Sequence, residues 1–313
     1  MGYTRSKGGK GRGKGRPGSP ESATNWREEK KNQRRGIAPA AAEKTNSVAV
    51  SEVENRIVNS NLCLPWLPTN LSSESRKSID SMLAESTCIA STAWVPMVDL
   101  SDTKPAPAGS LFGGSKILVK SGSELPVCLN CKASLSFVCQ IERESLLHPF
   151  QGKGLVQVFA CAICTPNKSI KSNRAACWAS VINPQDPVEL RDLENPAKPK
   201  RVVKWLPRKD FMHPFQAQDT LGRSLSSSEW AALGEAQIRG DKIGGFAPWL
   251  DSATSDLERH RLKCKVCDAP SRLLVTIDSF DNASAFEWGC DGCLMVFECP
   301  SHPEQVTAFI MST

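Results

Sequence analysis

The sequence predicts a sheet-rich α+β fold made of two pseudo-symmetric halves of mainly antiparallel strands, each half holding a structural zinc site. Three observations predict it. A four-ligand metal pattern occurs twice, short strand-like runs fall at the same places in both copies, and helix signals are few.

The metal pattern is the most specific of the three. Cys128-Leu-Asn-Cys131 is followed by Cys161-Ala-Ile-Cys164, and Cys264-Lys-Val-Cys267 by Cys299-Pro-Ser-His302. Equivalent residues are 136, 136, 138 and 138 positions apart, so the copies keep register apart from one two-residue insertion. Two ligand pairs, each with two intervening residues, can complete one tetrahedron of soft donors. Cys128, Cys131, Cys161 and Cys164 would hold one zinc ion, and Cys264, Cys267, Cys299 and His302 a second. Cys290-Asp-Gly-Cys293 competes for the second site, since its spacing also suits a knuckle. The repeat register favours Cys299 and His302, which follow a strand-like run as Cys161 and Cys164 do. Cys290 and Cys293 precede it and then read as ordinary buried thiols, with a redox pair as the alternative.

From the start of the chain, residues 1–45 read as a disordered tail rich in Gly, Lys and Arg. Residues 1–35 contain eleven Lys or Arg against three Glu, whereas the rest of the chain, with 28 basic and 30 acidic residues, is nearly neutral. General attraction to nucleic acid would therefore come from Lys7, Lys10, Arg12, Lys14 and Arg16, through counterion release at phosphates. The alternative is a solvated tail that aids solubility. Nothing in residues 1–35 resembles the apolar stretch of a secretory signal, and no apolar run reaches the ~18 residues of a transmembrane helix. A reducing compartment is expected, where thirteen cysteines read as metal ligands before disulfides. The expected location is the cytoplasm, with the nucleus or nucleolus as the alternative.

Residues 46–93 read as a partly ordered lead-in. Within it, Ser72 to Glu85 has helical spacing of Ile79, Met82 and Leu83. Leu62 to Pro68 is apolar and broken by proline. The domain itself is placed at residues 94–313, with halves of approximately 94–200 and 201–313. Each half runs in the same order: a glycine pair (Gly113-Gly114, Gly244-Gly245), a cysteine pair, a strand, an excursion, a second strand and a second ligand pair. The predicted strands are Leu135–Ile141 and Leu155–Phe159, then Leu273–Ile277 and Leu294–Phe297. The clearest helix starts at the capping-box spacing Ser226-Ser-Ser-Glu229 and is expected to stop at Gly240. The glycine pairs, set beside strands, imply positive φ or close backbone approach.

No catalytic constellation is legible. No Gly-x-Ser-x-Gly, P-loop or dinucleotide fingerprint occurs. His148 and His213 each precede proline and read as loop residues. Asp241, Asp278 and Asp281 could cluster, but capping of loops accounts for them more simply. A closed four-ligand zinc has no open coordination position for chemistry. The reading is a non-enzymatic binding module, with Gly244, Gly245 and Trp249 as candidate partner contacts; a core anchor is the alternative role for Trp249.

Several motifs together resemble the YwqG-like family, which carries a domain of unknown function. They are Trp94-Val-Pro, Phe112-Gly-Gly, Gly154-Leu155-Val-Gln-Val-Phe-x-Cys, Asp241-Lys-Ile-Gly-Gly-Phe-x-x-Trp249, Ile277-Asp278-Ser279 and Cys299-Pro-Ser-His302-Pro. The resemblance covers about two-thirds of the chain, from Trp94 onward. Its zinc-bearing branch is similar to the programmed cell death 2 proteins. That implies a chaperone-like scaffold for a basic ribosomal protein, and it supports Cys299 and His302 as ligands. The chain departs from the family at Gly114-Ser-Lys, where Pro-Trp often follows the glycines, and at Thr276, where Gln is frequent.

Overall fold

In the computed structural model the described residues are 62–63, 71–99, 108–165, 172–173, 175–193, 198–248, 262–279, 286–288 and 292–311. Fourteen strands and three α-helices lie among them. The first half supplies β1 (Leu62–Cys63), β2 (Ala90–Asp99), β3 (Leu111–Phe112), β4 (Lys116–Lys120), β5 (Ser136–Glu142), β6 (Leu155–Ala160), β7 (Ser172–Asn173), β8 (Cys177–Ile182) and β9 (Val188–Asp192). The second supplies β10 (Lys200–Phe211), β11 (Lys242–Gly244), β12 (Arg272–Asp278), β13 (Cys293–Glu298) and β14 (Val306–Met311). The helices are α1 (Ser73–Glu85), α2 (Pro214–Leu221) and α3 (Ser227–Ala236).

The four strands expected between the metal ligands are present, as β5, β6, β12 and β13. β6 and β13 are buried along their whole length. Runs such as Leu-Val-Gln-Val-Phe and Leu-Met-Val-Phe suit that environment, because apolar, partly β-branched side chains pack on both faces of a covered sheet. The main sheet has the order β7-β14-β13-β12-β11-β2-β10-β3-β5-β6-β8, with β1 paired to β2 off this path; β4 and β9 pair separately. Every ladder is antiparallel.

The centre of the sheet shows how the halves are joined. Trp94-Val95-Pro96 on β2 lies opposite Trp205-Leu206-Pro207 on β10. The pairs are Pro207 with Trp94, Leu206 with Val95, and Trp205 with Pro96. One half therefore mirrors the other about the Val95–Leu206 pair. The opening strand of each half is exchanged: β2 pairs with β11 of the second half, and β10 with β3 of the first. Neither spatial lobe is a contiguous stretch of sequence. Pro96 and Pro207 are tolerated so near the centre because the short strands β11 and β3 do not reach them.

β8 and β14 lie against each other, and one apolar core draws from both halves. Val138, Val156 and Val181 meet Leu274, Val296 and Ile310 there, with Trp94 and Trp205. A second core of Leu111, Ile117, Val119, Leu135 and Phe159 lies under the β4–β9 pair.

The helices form a third cluster. Ser72 caps α1 by accepting from the Ser75 N–H, and Ile79 and Met82 of α1 pack with Phe211, Ala232 and Leu233. Burying a side chain of that size stabilises by about 1.5–3 kcal/mol. Residues 71–93 thus belong to the same core as the second half, and the fold begins upstream of Trp94. Ser226 caps α3 with both arms of the expected capping box. That helix ends sooner than expected, at Ala236. Gln237 is extended, and Ile238 leaves the helix to donate its backbone N–H to Asp210. α2 was not legible as a helix. His213, expected in a loop, is its N-cap and accepts from the Phe215 N–H through Nδ1.

Candidate metal centres

Each predicted quartet converges. The ligand atoms of Cys128, Cys131, Cys161 and Cys164 lie within 4.8 Å of one another, as do those of Cys264, Cys267, Cys299 and His302. Both quartets show the same burial order: buried, exposed, buried, half-buried.

The local fold that aims the first pair is repeated in detail. In the first half, a bridge between Val127 and Ser134 closes a knuckle, and the Cys128 N–H donates to the Ala133 carbonyl. In the second, Lys263 bridges Pro270 and the Cys264 N–H donates to the Ala269 carbonyl. The residues after Cys131 and Cys267 turn the chain with positive φ, Lys132 at 63° and Asp268 at 56°. An aspartate adopts this conformation more readily than most residues do; at Lys132 the ligand geometry imposes it. The second pair of each quartet hangs from the end of a strand. Cys161 follows β6 directly and Cys299 follows β13. The Cys299 N–H donates to Gln305, and Gln305 donates back to the His302 carbonyl, closing that loop.

The distances fit one ion held by four donors. Sγ of Cys128 lies 3.8 Å from that of Cys164, and Sγ of Cys131 lies 3.4 Å from that of Cys161. In the second quartet Cys267 and Cys299 are 3.6 Å apart, and Nδ1 of His302 is 3.6 Å from both Cys264 and Cys299. A tetrahedron with bonds near 2.3 Å has an edge of about 3.8 Å. A disulfide needs about 2.05 Å, and all these cysteines are free thiols. The thiols of the first quartet diverge: burial raises Cys161 and pushes Cys164 up to about 12, whereas a backbone N–H favours the thiolate at Cys131. The Ala133 N–H, together with Cys161, brings the Cys131 thiol down to about 7.

Of the competing pair, Cys293 does not enter the second quartet. Cys293 is buried inside β13, opposite Asp278 on one side and Met311 on the other. Burial pushes its thiol well up, as expected of an inert core cysteine. Cys290 lies outside the described residues, as do Asp281, Trp249 and the tail lysines and arginines. Asp241 and Asp278 do come together, and both cap backbone: the Asp278 N–H donates to Asp241, and the Gly240 N–H to Asp278. The glycine pairs have positive φ in both halves.

Sequence reasoning missed three arrangements. Arg143, buried in the first half, pairs with Glu298 at 2.8 Å; Glu298 also holds Arg272 at 2.6 Å. Arg143 further donates to the Pro303 carbonyl, which ties the excursion of the first half to the loop of the second metal quartet. Second, Lys242 and Asp210 form a fully buried ion pair at 2.7 Å. Asp210 also accepts the N–H groups of Phe211, Ile238 and Phe246, and so fixes the turn at Gly244-Gly245. A Cβ on Gly245 would collide with that carboxylate. The third is Trp205-Leu-Pro, whose signal was available as a second Trp-x-Pro 111 residues after the first.

No helix among the described residues is long and apolar enough to cross a membrane. No family model matches the chain, and no curated protein matches it.

Proposed function

We propose that this chain is a non-enzymatic protein-binding scaffold, pinned by two structural zinc ions. The observation that carries the reading is the closure of both quartets: four soft donors surround each centre and leave no coordination position for water or substrate. Three cysteines with a fourth cysteine or a histidine are a donor set that favours zinc over the hard cations. Such sites contribute folding energy, about 10–16 kcal/mol in small peptides, which is the size of a whole domain's net stability. The resemblance to the programmed cell death 2 proteins supports a chaperone-like role towards a basic ribosomal client. Affinity capture with mass spectrometry tests this. A reproducible, near-stoichiometric protein partner is the expected result, and failure to recover one contradicts it.

The RNA reading rests on the composition of the tail alone. Deleting residues 1–35 should abolish RNA retention if that reading is right, and unchanged retention overturns it.

A further inference from the structure

Among the described residues the central sheet has a gap one strand wide. β11 pairs Ile243 and Gly244 with Trp94 and Ala93 of β2 on one side, and Lys242 and Ile243 with Thr276 and Val275 of β12 on the other. After Gly244 the positive-φ pair turns the chain out of the sheet towards Asp210. Among the described residues, Ser91 and Thr92 of β2 therefore pair only with β10, and Arg272 and Leu273 of β12 only with β13. Strands two places apart stand roughly 9.6 Å from each other, which is room for one extended chain. A cavity of about 390 Å³ occupies this place, with Ser91, Thr92, Trp94, Phe150, Gly245 and Arg272 among its walls.

Two further observations say what fits it. Trp94 is 8% exposed, and its indole N–H has no hydrogen-bond partner among the described residues. Ser91 and Thr92 also border an adjoining cavity of about 650 Å³ that includes Arg208 and Lys209, both exposed. Among the described residues no Asp or Glu lines either cavity, whereas Arg208 and Lys209 line the larger one; Arg272, in the smaller, is already held by Glu298, the Pro149 carbonyl and the Phe150 ring. Glu298, which neutralises part of this charge, is fully buried behind Arg272 and shared with Arg143.

We propose that this slot takes an acidic, extended peptide segment of a partner protein, added as a strand between β2 and β12 beyond Gly244. The proposal rests on the binding-scaffold reading and deepens it. Main-chain hydrogen bonds to the two strand edges give affinity. Trp94 and Phe150, in edge-to-face contact at 5.7 Å, offer an apolar wall. The cationic rim selects carboxylate side chains over lysine. A nucleic acid strand would satisfy the rim charges but not the paired strand edges.

The test is fluorescence anisotropy of the full chain at low salt with four labelled probes. They are a Glu/Val-alternating octapeptide, its Lys/Val counterpart, the Glu/Val peptide N-methylated at alternate amides, and an oligouridylate. The Glu/Val peptide should bind. The Lys/Val and N-methylated peptides should bind at least about tenfold more weakly, and the Arg208→Glu/Lys209→Glu double variant should lose about tenfold for the Glu/Val peptide. Both substituted residues are exposed, and circular dichroism and metal content of the variant verify its fold. Equal binding of the Lys/Val peptide, an unchanged affinity in the double variant, or no peptide binding overturns the proposal; preference for oligouridylate overturns it in favour of nucleic acid. If the double variant still captures the parent's protein partner while no peptide binds, the scaffold reading stands and the slot proposal alone fails.

Discussion

Val95 and Leu206 face each other in the ladder between β2 and β10, and the two halves of the molecule are arranged about that pair. The relationship explains why neither half is self-sufficient. Each gives its opening strand to the other, so the metal quartets hang from the β5–β6 and β12–β13 pairs on either side of a shared middle. β3 breaks the symmetry: Phe112 lies opposite Lys200, five residues before Trp205, whereas Ile243 lies opposite Trp94 itself. The shift is confined to the pairing with the exchanged strand, since Phe112 and Ile243 sit at equivalent positions opposite Cys139 and Val275. It places the strand-wide gap of the second half beside Trp94.

The buried Lys242–Asp210 pair should be costly to break. Asp210→Ala leaves an uncompensated lysine and three backbone N–H groups in the core. It should lower unfolding free energy by about 3–5 kcal/mol in urea titrations. Lys242→Met should cost a comparable amount, and the two together less than their sum. Additive losses would show that the pair is not coupled.

Gly245 and Gly222 both have positive φ, 69° and 65°, but only Gly245 is crowded. Gly222→Ala should lose only the backbone preference, about 1 kcal/mol. Gly245→Ala must also displace the Asp210 carboxylate and should cost clearly more. Equal losses in thermal or urea unfolding would contradict the steric account.

His213 gives the fold a pH dependence whose sign follows from its burial. Desolvation, with Arg239 adding to it, pushes its imidazole down to about 4. The unfolded chain protonates it near 6.5. Between those values the unfolded state holds more protons, so stability is full above about pH 6.5 and falls as the pH drops towards 4. Protonation also removes the Nδ1 lone pair that caps α2. Because asparagine caps helices without titrating, His213→Asn should flatten stability between pH 7 and 5 relative to the parent. An unchanged slope would rule out this histidine as its source.

The parts of the fold written in local pattern were legible in sequence. The metal quartets, the four strands beside them, helix α1 and the cap at Ser226 all depend on residues close in sequence or on a repeated spacing. Cys293 was distinguishable from a ligand because the repeat register aligns it with Leu155, at the start of a strand where the first half has no ligand. What was not legible depends on distant partners. The end of α3 is set by Asp210, which captures the Ile238 N–H from across the core. The role of His213 depends on a helix whose Pro-Phe-Gln start carries no apolar period. The Arg143–Glu298 pair joins residues 155 positions apart and has no spacing rule. The exchange of β2 and β10 is a property of pairing that neither strand's composition contains.

The most direct measurement is metal content per chain, by elemental analysis of the purified protein and of Cys264→Ser and Cys293→Ser variants. The parent should carry two zinc ions, Cys264→Ser should retain one, and Cys293→Ser should retain both. A parent that is folded without bound metal, or loss of an ion on replacing Cys293 but not Cys264, would contradict the account.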